Sequence, residues 1–190
     1  MRCVTIERKT KETDVRAQLN LDGGETKIQT GVGFFDHMLT AFAFHSGMGL
    51  SLTCQGDLDV DAHHSVEDCG IVLGQALARA LGEKSGIARF GAALVPMDEA
   101  LARAVADVSG RPYLAFFARF SQEKTGDFDL CLCEEFFRAL ATNAGVTLHL
   151  QLLYGENSHH EAEALFKAAA RALREAIAPQ QGVRSTKGIL

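Results

Sequence analysis

The sequence predicts an α+β fold built by internal duplication, with two α+β layers packed into one unit. Two observations carry this. The pattern HHxxE occurs twice, as His63-His64-Ser65-Val66-Glu67 and His159-His160-Glu161-Ala162-Glu163, each heading an apolar run with helical spacing. Strand-like and then helix-like stretches precede each copy in the same order, the segregated pattern of an α+β chain. At 190 residues and 47% hydrophobic the chain can bury a full core. No Pro-rich or low-complexity stretch divides it, so we read one domain, 1–190, made of two pseudo-repeats at about 1–90 and 91–190.

Residues 3–8 and 14–21 alternate as strands, and Asp22-Gly23-Gly24 reads as a hairpin turn into a third strand near 25–30. The charged loop between the first two, Lys9-Thr10-Lys11-Glu12-Thr13, is by default solvated. Gly31-Val32-Gly33 breaks the strand, and 34–46 is a helix ended by Gly47, with Asp36 and His37 near its start and His45 near its end. Short strands follow at 50–54 and 58–61, around Gly56-Asp57. Val66, Ile71, Leu73, Leu77 and Leu81 mark the first HHxxE helix. Strands at 90–96, 101–108 and 113–117 open the second half. A helix at 134–140, a strand at 146–153 and a turn at 155–157 then lead to the second HHxxE, whose helix carries Leu165, Phe166, Ala169, Leu173 and Ile177. His149, on a strand, is read as structural. The basic tail 182–190 taken alone reads as disordered.

On a helix the second His and the Glu of HHxxE share a face, whereas the two adjacent His point roughly 100° apart. One copy therefore cannot easily aim both His at one ion. Two ions solve this economically, one held by His64, Glu67 and His159, the other by His160, Glu163 and His63. Polar helix starts with a Glu suited to the helix dipole are the plainer alternative, but two copies holding four of the chain's seven His favour metal. Imidazole and carboxylate without thiolate suit Mn, Fe or Zn. His37 lies 26 residues before His63 and Glu135 lies 24 before His159, so these two are equivalent and complete the two ligand sets. Glu134 is disfavoured, lying about 100° from Glu135 on the helix.

A net charge of -5 and the absence of a Lys/Arg block argue against a nucleic-acid surface. An anionic ligand must be met by a local basic cluster. The N-terminus has no apolar leader and no run is long enough to cross a bilayer, so a soluble, cytoplasmic protein is expected. The five Cys are odd in number and lack CxxC spacing, which points to buried free thiols.

The stretches TGVGFFDHML (30–39), GDLDVDAHHSVED (56–68), RFG (89–91), PMDEA (96–100), GRPYL (110–114), GENSHHEAEALFKA (155–168) and STKG (185–188) resemble the imidazoleglycerol-phosphate dehydratase family of histidine biosynthesis. The resemblance runs from Arg8 to Gly188. It implies a duplicated fold, each half a β-sheet backed by helices, and assembly into a 24-subunit shell with two Mn ions per active site where subunits meet. Carried over, the first metal site falls on His37, His64, Glu67 and His159, and the second on His63, Glu135, His160 and Glu163. Where family members commonly carry His in a run EHFF, this chain has Glu135 in EEFF, a ligand one charge unit more negative. Substrate contacts map to Glu12, His37, His45, His63, Arg89, Arg111, His159, Lys167 and the tail Ser185-Thr186-Lys187, which would order as a flap over phosphate. Lys167 follows Glu163 by one helical turn, so an ordinary ion pair is equally open to it.

The implied reaction removes water from D-erythro-imidazole-glycerol phosphate to give imidazole-acetol phosphate. The proton to be removed is not next to a carbonyl. Ions flanking the imidazole would stabilise its imidazolate, which expels hydroxide to a diazafulvene-like species, and a carboxylate, assigned to Glu12, takes the acidified proton. A dinuclear hydrolase and a purely structural, subunit-stapling metal are the competing classes. The latter leaves Arg89, Arg111 and the tail without a purpose. A fused phosphatase domain, found in some relatives, has no room in 190 residues.

Overall fold

The clearest alternation in the chain becomes the middle of a sheet. In a computed structural model, which describes residues 2–182, strand β2 (Thr13–Asn20) buries Val15, Ala17 and Leu19 and exposes Asp14, Arg16 and Gln18. This is the period of a strand with one covered face. It pairs antiparallel with β1 (Cys3–Lys9) on one side and with β4 (Gly49–Gly56) on the other, and β3 (Thr26–Gln29) joins parallel to β4 at the edge. The sheet order is β1-β2-β4-β3. Two helices complete this half, α1 (Gly33–Ser46) and α2 (His63–Leu81).

The second half repeats the plan. Strands β5 (Phe90–Met97), β6 (Ala100–Asp107), β7 (Tyr113–Phe117) and β10 (Thr147–Tyr154) form a sheet in the order β5-β6-β10-β7, again with the last pair parallel. Its helices are α3 (Leu132–Ala144) and α4 (Ser158–Ala176). A small hairpin, β8 (Lys124–Thr125) and β9 (Phe128–Asp129), is inserted before α3. Each half is therefore a β-sheet backed by helices, as an α+β duplication requires.

The helix layers meet in the middle. Small residues set how closely helix packs on sheet: the inward face of β6 is Ala100, Ala102, Ala104 and Ala106, and α4, which packs on it, buries Ala168, Ala169, Ala172 and Ala176. A Cβ on Gly91 of β5 would come within 2.1 Å of the Ala172 carbonyl. Between α2 and α3 the same device recurs, since a Cβ on Gly70 would lie 2.7 Å from the Phe136 carbonyl. Around this seam Phe136 stacks on Phe166 at 5.4 Å, Phe137 meets Phe166 tilted at 4.6 Å, and Phe35 meets Phe136 edge-on at 5.3 Å. Such pairs add roughly 0.5–1.5 kcal/mol each beyond their burial.

Three local expectations are corrected. Asp22-Gly23-Gly24 turns the chain without making a hairpin, because β4 inserts between β2 and β3. Gly23 and Gly24 adopt φ of 105° and 140°, and Gly49 packs so close to their backbone that its own Cβ would clash at 2.8 Å. Residues 58–61 are not a strand: Val60 N–H donates to the Asp57 carbonyl in a turn, and Leu58 and Val60 are both exposed, so neither face has a sheet to pack on. Of the five thiols only Cys54, Cys69 and Cys133 are buried, while Cys131 is exposed. No helix among the described residues is long and apolar enough to cross a membrane.

Candidate functional site

Helix α1 is entered through Thr30, whose N–H donates to Asp36 Oδ1 at 2.8 Å and whose hydroxyl bonds the same oxygen. This clamp sets the first turn, so that His37 faces the start of α4. There His37 Nε2 and His159 Nε2 each lie 3.4 Å from Oε2 of Glu163. One donor atom from each of the three lies within 4.8 Å of the others, the single such His/Cys/Asp/Glu group among the described residues. Two imidazoles and a carboxylate at this spacing fit Mn, Fe or Zn. The pairing inside α4 is His159 with Glu163, one helical turn apart, and not the His160 with Glu163 of the spacing argument. On its other oxygen Glu163 accepts from Lys167 Nζ at 2.6 Å. Burial works against the Glu163 charge, but Lys167 and His37 outweigh it and hold its carboxyl below the ordinary value.

His63 and His64 begin α2, with the His63 N–H donating to Asp61 Oδ1 at 2.7 Å. His64 Nδ1 lies 3.0 and 3.2 Å from the two oxygens of Asp57, and its Nε2 is 4.0 Å from Glu12. The Asp57 hydrogen bond, with the Glu12 charge behind it, raises the His64 pKa. Among the described residues neither His63 nor Glu67 makes an ion pair. Glu12 sits at the tip of the β1–β2 hairpin, where Thr10 Oγ1 accepts from the N–H groups of Glu12 and Thr13. A buried carboxylate, Asp68 on α2, straps this tip down by accepting from Thr13 Oγ1 and from Arg8 Nε at 3.0 Å.

At the second copy, the Asn157 side chain caps α4 by accepting from the N–H groups of His159 and His160. His160 Nδ1 bonds Glu99 Oε2 at 2.8 Å, and Glu99 also accepts from Asn157 N–H at 2.8 Å and Glu156 N–H at 3.3 Å. The His160 contact and these amides push the Glu99 carboxyl down to about 2, and Glu99 in turn raises His160. Glu161, inside the second motif, is buried and accepts from Ser121 N–H and Oγ. Asp57, Asp68 and Glu99 escaped the sequence reading. The equivalence of the two hairpin tips would have exposed Glu99, because Glu12 and Glu99 each end a two-residue turn.

Other predicted residues lie elsewhere in the chain. Arg89 Nε and Nη2 bond Asp107 at 2.7 and 3.2 Å, and Arg111 Nη2 approaches the same carboxylate at 3.5 Å. Arg89 N–H bonds the Ala176 carbonyl, at the C-terminal end of α4. At about 1.5 Å per residue that end is on the order of 20 Å from Glu163. One protomer therefore does not bring the two arginines to the His37 cluster. His45 is half-buried at the end of α1, its pKa lowered by desolvation and then by Lys167 and Arg171. Glu135 and Glu134 are both half-buried, with Arg138 Nη2 at 3.7 Å from the former and 2.5 Å from the latter. Glu135 and His37 stand ten residues ahead of the left-handed cap glycines Gly145 and Gly47, so they are structural equivalents. His149 is exposed beside Tyr113, at 6.2 Å between rings. Ser185, Thr186 and Lys187 lie outside the described residues.

A two-sheet duplicated fold that gathers two imidazoles and a carboxylate at its helix starts has the donor groups of a metal-dependent enzyme, and its relatives give its class. The sequence profile described as imidazoleglycerol-phosphate dehydratase matches residues 30–173. The imidazoleglycerol-phosphate dehydratase of an Exiguobacterium species is 59% identical, over 99% of this chain and 98% of its own. That of Streptococcus sanguinis is also 59% identical, over the full length of both. Crystal structures of the dehydratases from Staphylococcus aureus and Pyrococcus furiosus superpose with TM-scores of 0.84 and 0.87. Their identities are 47% and 41%, covering 94% and 97% of this chain and 99% and 100% of theirs. The chain belongs to the imidazoleglycerol-phosphate dehydratase family, hydro-lyases of histidine biosynthesis.

Proposed function

We propose that the chain dehydrates D-erythro-imidazole-glycerol phosphate to imidazole-acetol phosphate in the cytoplasm, with two Mn ions per active site and Glu12 as base. The observation that carries this reading is the convergence of His37, His159 and Glu163 from two helices, which brings two donors of one ligand set beside one of the other, in a chain of this family. His37, His64, Glu67 and His159 would hold one ion, and His63, Glu135, His160 and Glu163 the other. Among the described residues one protomer gathers only His37, His159 and Glu163, so neighbouring copies in the proposed 24-subunit shell would have to complete both sets. His63 and Glu67, half-buried and without an ion pair, suit donation across such a boundary.

When bound, the ions supply Lewis-acid stabilisation of the substrate's imidazolate. The chain's own groups do the rest. Glu12, on a strapped hairpin tip 4.0 Å from His64 Nε2, takes the neighbouring C–H proton that is acidified once hydroxide has left the carbon next to the ring. The enol that remains relaxes to the ketone, so the balance is substrate minus water. Arg89 and Arg111 would meet the phosphate, guanidinium groups being suited to it, with Asp107 holding the Arg89 plane through Nε and Nη2.

Purification with added Mn, metal counting and assay for ketone formation before and after chelation tests this. About two Mn per subunit and chelator-sensitive turnover are expected, with lower metal content in His37→Ala. Hydrolysis of simple phosphate esters in place of dehydration would instead favour the dinuclear hydrolase.

A further inference from the structure

Glu12 and Glu99 occupy the same place in the two halves and do different things there. Each is the second residue of a two-residue turn, between Thr10 and Thr13 in one half and between Met97 and Ala100 in the other. Each reaches the second His of the HHxxE helix in its own half. Glu99 bonds His160 on Nδ1 at 2.8 Å, whereas Glu12 lies 4.0 Å from His64 on Nε2. In the first half the Nδ1 position is taken by Asp57, the residue after β4. The residue after β10 is Gly155, so the second half has no carboxylate there.

We propose that Asp57 and Glu99 are positioning residues that fix His64 and His160 with the proton on Nδ1 and Nε2 turned outward as the ligand atom. Asp57, by taking this duty in one half, leaves Glu12 free for chemistry. The proposal rests on the reading of His64 and His160 as metal ligands. A carboxylate on one ring nitrogen selects the tautomer, fixes the ring plane and makes the other nitrogen a better donor to metal. Both anchors are themselves held. Glu99 accepts two backbone N–H groups ahead of α4, and Asp57 donates its own N–H to the Glu12 carbonyl at 3.1 Å. That last contact ties the anchor of His64 to the hairpin tip carrying Glu12. The duplicated scaffold thus serves the same second His from two different loops, and the asymmetry sets aside one carboxylate.

The test uses the full chain with ¹⁵N-labelled His. In metal-free protein, at a pH where both rings are neutral, long-range ¹H–¹⁵N spectra are expected to show protonated Nδ1 and unprotonated Nε2 at His64 and His160. Asp57→Ala should lose this signature at His64 alone, and Glu99→Ala at His160 alone. With Mn as the only added probe, chelator competition should show affinity weakened about 10–100-fold in each variant. Glu99→Gln, whose amide oxygen still accepts from Nδ1–H, should recover part of it and controls for folding. Unchanged tautomers, or lost tautomers with wild-type Mn affinity, would overturn the proposal. A wild-type chain with the expected tautomers that takes up no Mn would overturn the metal reading itself, and with it the ligand role given to the two anchors.

Discussion

Lys167 donates from Nζ to Oε1 of Glu163 at 2.6 Å, one turn apart on α4, while His37 and His159 face the other oxygen of the same carboxylate. The ammonium thus neutralises a buried acid at the point where a cation is proposed to bind. Lys167→Met leaves that carboxylate without its partner and should destabilise the metal-free protein by roughly 1–3 kcal/mol. Added Mn should raise the unfolding temperature of this variant more than that of the wild type, and thermal melts with and without chelator measure it. Because the Glu163 carboxyl is held low when folded, its contribution is present above the ordinary carboxylate range. It is lost only as pH falls through the lowered value, and in Lys167→Met the loss should begin at higher pH.

Glu12→Gln keeps the hairpin geometry, since Thr10 and Asp68 hold the tip through other groups. Metal content and substrate KM should stay near wild type while kcat falls about 10²–10⁴-fold, the usual worth of a general base. Steady-state kinetics beside metal analysis decides it, and near wild-type kcat removes Glu12 from that role.

Glu135→His replaces a carboxylate by the imidazole that stands at the equivalent place, His37, in the other half. If position 135 ligates, the exchange should retain metal stoichiometry and shift preference among Mn, Fe and Zn. Competition binding with the three ions reads the change, and an unchanged order of preference would take Glu135 out of the second ligand set.

Gly70→Val places a branched side chain where even a Cβ would lie 2.7 Å from the Phe136 carbonyl and 2.8 Å from the Ala139 Cβ. A non-Gly residue ordinarily favours a helix, but here overpacking wins and should cost roughly 1–3 kcal/mol. Urea unfolding should show a lower midpoint with an unchanged slope.

The paired HHxxE motifs, their helices and the equivalence of His37 with Glu135 were legible because they rest on local spacing, which a helix converts directly into a shared face. The alternation in β2 was legible for the same reason. Strand order was not: that β4 inserts between β2 and β3 depends on long-range pairing, which Gly23-Gly24 permits but does not announce. Residues 58–61 looked like a strand, but Leu58 and Val60 find no surface to pack on. Which His meets which carboxylate was likewise decided in three dimensions. Glu163 turned to His159 because one helical turn aligns them, and His160 was claimed by Glu99, 61 residues away in sequence. Local periodicity determined most of the elements and the kinds of side chain at the helix starts. Only the packing of helix starts against hairpin tips decided the partners, because those contacts join segments whose separation along the chain carries no periodic signal.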